Sequence, residues 1–195
     1  MDGSNRTRWM ITGANGNLGK RLLQNLLLSV DTEVVALVRS ERAKSQIEEL
    51  PLEPQQRSRL DVVIADYASK QDLQAASKGV NYCVHLVGIL KETPDSTYEN
   101  AHEDSCQALI EALQGGSTAH ISYVSIVGAL ETATNRCLKS KFIAGDMLLK
   151  STTKAMVLRV PMVLGEGDYA SYALRRNALK SLNLLFRPSS MDQPL

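Results

Sequence analysis

Short apolar runs alternate with stretches of helical spacing along most of the chain. Residues 8–12 read as a first strand. After them Leu22, Leu23, Leu26 and Leu27 return at helical intervals, giving one apolar stripe on a helix from Leu18 to near Ser29. Val34, Val35, Leu37 and Val38 make residues 33–38 nearly continuously apolar, as a strand buried on both faces requires. A polar helix over 41–50 is ended by Pro51 and Pro54, and a loop leads on. Further strands are expected at 60–65, 80–87, 119–124 and 155–160, and helices at 71–77, 97–113 and 138–151. Past Pro161 the pattern loosens into a loop with Gly165 and Gly167, a helix over 172–182 and a tail over 188–195. Such alternation predicts an α/β fold, a doubly wound parallel sheet with helices on both faces.

The first strand runs into Thr12-Gly13-Ala14-Asn15-Gly16-Asn17-Leu18-Gly19, three glycines in G-x-x-G-x-x-G spacing at the start of an amphipathic helix. Gly13 permits the tight turn, Gly16 lets backbone approach a pyrophosphate, and Gly19 lets the helix pack close to the sheet. The helix N-terminus adds free N–H groups and a positive dipole end. The strand–turn–helix context reads as a dinucleotide site of the Rossmann type, with an ordinary βα turn as the alternative. Gly13, Asn15, Gly16, Asn17, Leu18 and Gly19 are its expected contacts.

Arg39 follows the second strand where NAD-selective sites carry an acid, so NADP(H) is favoured over NAD(H), the arginine pairing with the extra 2′-phosphate. The alternative is an exposed loop arginine. Asp66, at the end of the third strand, is placed to accept from the adenine amino group or to cap a turn.

Composition narrows the classes. The chain has 195 residues, 44% hydrophobic and 22% charged, which suits one well-buried domain spanning 1–195. A formal net charge of +1 gives no reason to expect a nucleic-acid partner; Arg175, Arg176, Lys180 and Arg187 read as a solvated helix face. The polar N-terminus lacks a signal-peptide core and no apolar run is long enough to span a bilayer, so a cytoplasmic location is expected. Cys83, Cys106 and Cys137 lack metal spacing and read as reduced thiols, two of the three as core residues. His85 and His102 read as core or surface histidines rather than ligands, and Asp95, Glu99, Glu103 and Asp104 as a solvated helix start.

The glycine turn, Asp66 after Val62-Val63-Ile64-Ala65, His85-Leu86-Val87-Gly88 and Leu158-Arg159-Val160-Pro161-Met162-Val163-Leu164-Gly165 together resemble the extended or atypical short-chain dehydrogenase/reductases, the NAD(P)-dependent epimerase/dehydratase-like branch. Within it, the His-Leu-Val-Gly stretch and the helix from Tyr98 to Ala112 look most like bacterial relatives of the nucleotide-binding accessory subunit of respiratory complex I. The resemblance implies that Val87 and Gly88 line the cofactor. It also implies an active site of a serine, a tyrosine and a lysine four residues after the tyrosine, the tyrosine acting as general acid/base. Ser125 and Lys141 stand at such places, but the tyrosine position holds Cys137. That cysteine is either a thiol ionised by the nearby lysine or a buried, incidental one. Lys141 keeps an implied ribose contact.

Members of the branch continue into a smaller substrate region, of which 165–195 is expected to be a truncated start, leaving it largely absent here. Three functions follow: an NADP(H)-binding oxidoreductase-like or epimerase-like protein acting on an unknown small molecule; a catalytically silent, redox-sensing or scaffolding nucleotide module; or a regulator reading the NADP(H) state. Oligomeric or membrane-complex association is left open.

Overall fold

The computed structural model describes residues 6–161, 163–165 and 169–179. Its chain order is β1 (Thr7–Thr12), α1 (Asn17–Leu26), β2 (Thr32–Val38), α2 (Glu41–Glu48), α3 (Pro54–Arg57), β3 (Leu60–Ile64), α4 (Lys70–Ala76) and β4 (Tyr82–His85). A π-helical segment (Glu99–Asp104) then leads into α5 (Ser105–Leu113), β5 (His120–Ile126), α6 (Arg136–Lys150), β6 (Ala155–Val160) and α7 (Tyr169–Ala178). The six strands form one parallel sheet in the order β3-β2-β1-β4-β5-β6. The chain winds outward from β1 through β2 to β3, returns to β4 beside β1, and winds out the other way. The carboxyl ends of β1 and β4 therefore flank the crevice where open α/β sheets bind ligands.

The strands are apolar on both sides because both sides are covered. Ile11, Val34, Ala36 and Val38 pack with Leu23, Leu27 and Ile47 on one face. Met10, Val35, Leu37, Ile121 and Tyr123 pack with Leu73, Leu109, Leu113 and Leu148 on the other.

Several element boundaries differ from the sequence reading. Pro54 opens α3 instead of only ending a helix, since a first helical residue needs no amide. The preceding helix stops at Glu48, where Arg57 donates to the Glu48 and Leu50 carbonyls at 2.8 and 2.7 Å. β4 is shorter than 80–87, because its partner β1 turns away after the Thr12–His85 pair. β5 runs on to Ile126 because β6 keeps pairing as far as Val160, so Ser125 lies inside a strand. The first turns of the predicted 97–113 helix are π-helical. α6 begins at Arg136, capped by Asn135, which accepts from the Leu138 amide at 3.2 Å, so Cys137 is in the helix rather than before it. α7 starts at Tyr169, ahead of the expected Tyr172. Arg175 and Arg176 are exposed on it, while Gly167, Lys180, Arg187 and the tail lie outside the described residues. Among the described residues no helix is long and apolar enough to cross a membrane.

Candidate nucleotide-binding site

The glycine turn leaves the carboxyl end of β1 at the sheet's switch point. Gly13 has φ +69, and a Cβ there would meet the Leu86 backbone at 3.3 Å, so the turn lies against the exit of β4. A Cβ on Gly19 would stand 2.6 Å from the Ala14 carbonyl oxygen and 2.7 Å from that of Gly13, and those backbone atoms cannot give way cheaply. The glycine spacing is thus a packing requirement of the turn itself.

Gly16 caps α1 without a side-chain bond, and the first turn of the helix holds no acid. Lys20 is the first residue whose amide bonds back, to the Gly16 carbonyl at 3.0 Å. Among the described residues the amides of Asn17, Leu18 and Gly19 have no acceptor, and the helix dipole lies behind them. This donor set fits a diphosphate, and no acid in the first turn of α1 competes for it.

Two side chains the sequence reading had not singled out for the site hold the turn. Tyr67, buried, accepts the Gly13 amide at 3.0 Å and donates to the Leu37 carbonyl at 2.9 Å. Burial is the main reason its phenol is pushed up to about 12, so it stays protonated and keeps donating. On the opposite flank Thr12 Oγ1 lies 2.7 Å from His85 Nδ1, and His85 Nε2 lies 3.4 Å from Ser105 Oγ. His85 and His102, expected as core or surface residues, are both buried; His102 Nδ1 lies 3.3 Å from Ser140 Oγ and its Nε2 lies against the Ile89 backbone. Burial, reinforced by the Lys141 ammonium, holds each imidazole down to about 3 and hence neutral. No sequence signal marked Tyr67, whose partners lie 54 and 30 positions away.

At the end of β2, Arg39 is exposed, and its charge acts on the Tyr67 phenol. Ser40 accepts from the Ala43 amide at 3.3 Å and caps α2. Asp66 is exposed and accepts from the Ala68 amide at 3.0 Å, the turn cap allowed for it. Asn15 reaches α2 through Gln46 at 3.3 Å.

Lys141 and Gly88 meet on the far side of the crevice. The buried ammonium donates to the Val87 carbonyl at 3.3 Å and the Val124 carbonyl at 3.4 Å, and lies 4.7 Å from the Tyr123 ring centroid. Desolvation lowers its pKa to about 8. Cys137 sits one turn earlier on α6, 2% exposed, its thiol donating to the Ile89 carbonyl at 3.5 Å. Burial raises its pKa despite the opposing influence of Lys141, so the thiol does not ionise near neutral pH, contrary to one of the two expectations for it. All three cysteines are free and buried, one more than expected in the core. Ser125 is 1% exposed, and its Oγ has no partner among the described residues. The fold therefore gathers the glycine turn, Val87, Gly88 and Lys141 at the carboxyl ends of the central strands and sets Cys137 beside Ile89.

A sequence model described as NAD(P)H-binding matches residues 13–178, most of the chain. The chain belongs to this NAD(P)H-binding family. It is 25% identical over 172 residues to a ceramide reductase of Caulobacter vibrioides, covering 88% of this chain and 51% of that protein. It is also 25% identical over 163 residues to the mitochondrial NADH dehydrogenase [ubiquinone] 1 alpha subcomplex subunit 9 of Arabidopsis thaliana, covering 81% of this chain and 39% of that one. Among solved structures it resembles the UDP-glucuronic acid 4-epimerase of Bacillus cereus in complex with NAD, with a TM-score of 0.69 and 17% identity over 88% of this chain and 62% of the other. The chain thus spans about half or less of the length of these curated relatives. The expected resemblance is borne out as an NAD(P)H-binding family with a reductase and a complex I subunit among the relatives, and the epimerase shares the fold.

Proposed function

We propose that this chain is the NADP(H)-binding domain of an oxidoreductase-like or epimerase-like protein. The unpaired amides of Asn17, Leu18 and Gly19 receive the diphosphate, aided by Gly13, Asn15 and Gly16. Arg39 pairs with the 2′-phosphate, Asp66 faces the adenine, and Val87, Gly88 and Lys141 lie toward the nicotinamide ribose. The nicotinamide, when bound, supplies the carbon that gives or takes a hydride. The observation that carries the reading is the turn itself: a helix N-terminus with free donors, no first-turn acid, and a cation rather than a carboxylate after β2. The three free thiols suit a reducing compartment such as the cytoplasm.

A second reading, a catalytically silent nucleotide module, is favoured by the state of the three residues the resemblance places in the active site. Where the resemblance implies a tyrosine acid, the chain holds the buried thiol of Cys137, bonded to a backbone carbonyl. Lys141 is likewise occupied by two carbonyls, and Ser125 is closed off from solvent.

Titration with NADPH and NADH tests the cofactor. NADPH binds more tightly to the wild-type chain, and Arg39→Asp removes most of that preference; equal affinities in both proteins would refute the role of Arg39. Turnover of carbonyl or sugar-nucleotide substrates that is lost in Lys141→Met supports the enzyme, whereas tight cofactor binding with no turnover supports the silent module.

A further inference from the structure

Two buried hydroxyl groups, those of Tyr67 and Thr12, bond to the backbone around the turn that precedes α1. β1 and β2 pair as far as Thr12 and Leu37, where the ladder ends. Beyond it the Leu37 carbonyl accepts from the Ala14 amide at 3.2 Å and from the Tyr67 hydroxyl at 2.9 Å, while that hydroxyl accepts the Gly13 amide at 3.0 Å. One phenol thus links the Gly13 amide to the same Leu37 carbonyl, just where Gly13 turns out of the strand.

On the other flank, Ser105 donates to the Ala101 carbonyl at 2.9 Å, so it accepts from His85 Nε2. This leaves His85 Nδ1 to accept from the Thr12 hydroxyl, which in turn accepts the Leu86 amide at 3.3 Å. Thr12, His85 and Tyr67 are nearly or wholly buried, so each bond is made out of water and loss of a partner leaves a polar group unpaired.

We propose that Tyr67 and Thr12 are positioning residues for the diphosphate of the bound dinucleotide, clamping the β1 exit from the β3 side and the β4 side so that the amides of residues 17–19 converge on one anion. Neither hydroxyl touches the ligand. The proposal rests on the nucleotide-binding reading and adds to it a division of labour: the clamp governs the phosphate end, not the adenosine end.

The test uses Tyr67→Phe and Thr12→Val, near-isosteric changes that each remove one hydroxyl. Binding is measured for NADPH, which carries the diphosphate, and for adenosine 2′-monophosphate, which lacks it; adenosine replaces the latter if the wild-type chain does not distinguish NADPH from NADH. The expected result is a roughly tenfold loss of NADPH affinity in each folded variant, with the smaller ligand unchanged within about twofold. A general structural role would weaken both ligands in parallel. That outcome, or NADPH affinity unchanged in a variant with native circular dichroism, overturns the clamp. If one variant does not fold, the same split is read from the other. Wild-type protein that binds neither dinucleotide refutes the nucleotide-binding reading itself, an outcome distinct from failure of the clamp.

Discussion

The Lys141 ammonium lies 2.5 Å from the point where a Cβ on Gly88 would stand, so the glycine and the buried lysine are one structural unit. Gly88 has no positive φ to explain it. Its smallness is required by the side chain that crosses from α6 to the ends of β4 and β5. Gly88→Ala is therefore expected to destabilise the fold by about 1 kcal/mol, less than a clash with backbone would, because the end of the Lys141 side chain shifts and lengthens its bonds to the Val87 and Val124 carbonyls. In a Lys141→Ala background the same change should cost clearly less. A denaturant double-mutant cycle checks this, and additive effects would dissociate the pair.

Gly19→Ala should be the more damaging change in the turn, at about 1–3 kcal/mol with a marked loss of dinucleotide affinity, since its Cβ meets fixed carbonyl oxygens. Gly16→Ala faces only the Gly13 carbonyl, at 3.3 Å, and should fold with less penalty. Thermal melts of the two variants side by side give the ranking.

Both neutral histidines make the protein acid-sensitive. Their folded pKa values lie near 3, below the ordinary 6.5, so as pH falls the unfolded chain takes up protons first. The histidines' share of the stability is fully present above about pH 6.5 and is lost as pH drops toward about 3, at roughly 1.4 kcal/mol per pH unit for each histidine. Urea unfolding across this range should show the slope, and His102→Gln should reduce it by one histidine's share. An unchanged slope would contradict the burial argument.

Cysteine reactivity offers a check on Cys137. With all three thiols buried and that of Cys137 raised in pKa, Ellman's reagent should find almost no fast-reacting thiol in the native protein at pH 7 and three in denaturant. One rapidly modified native cysteine, mapped to Cys137, would restore it as a candidate acid/base.

Much of the architecture was legible in local pattern. The strand of Val34 to Val38, the stripe of Leu22, Leu23, Leu26 and Leu27, and the glycine spacing from Gly13 to Gly19 each express a constraint acting within a few residues, either burial on both faces or a turn that excludes Cβ. The strand–helix alternation carried the parallel sheet for the same reason.

Long-range pairing decided the rest. Whether Ser125 ended a strand or lay within it depended on how far β6 ran alongside; whether Cys137 met solvent depended on the backbone at Ile89; and the hold on Gly13 came from Tyr67, 54 residues on. A hydrogen bond or a desolvated charge is set by atoms that only the folded chain brings within about 3 Å, and such neighbours leave no periodic trace in the sequence.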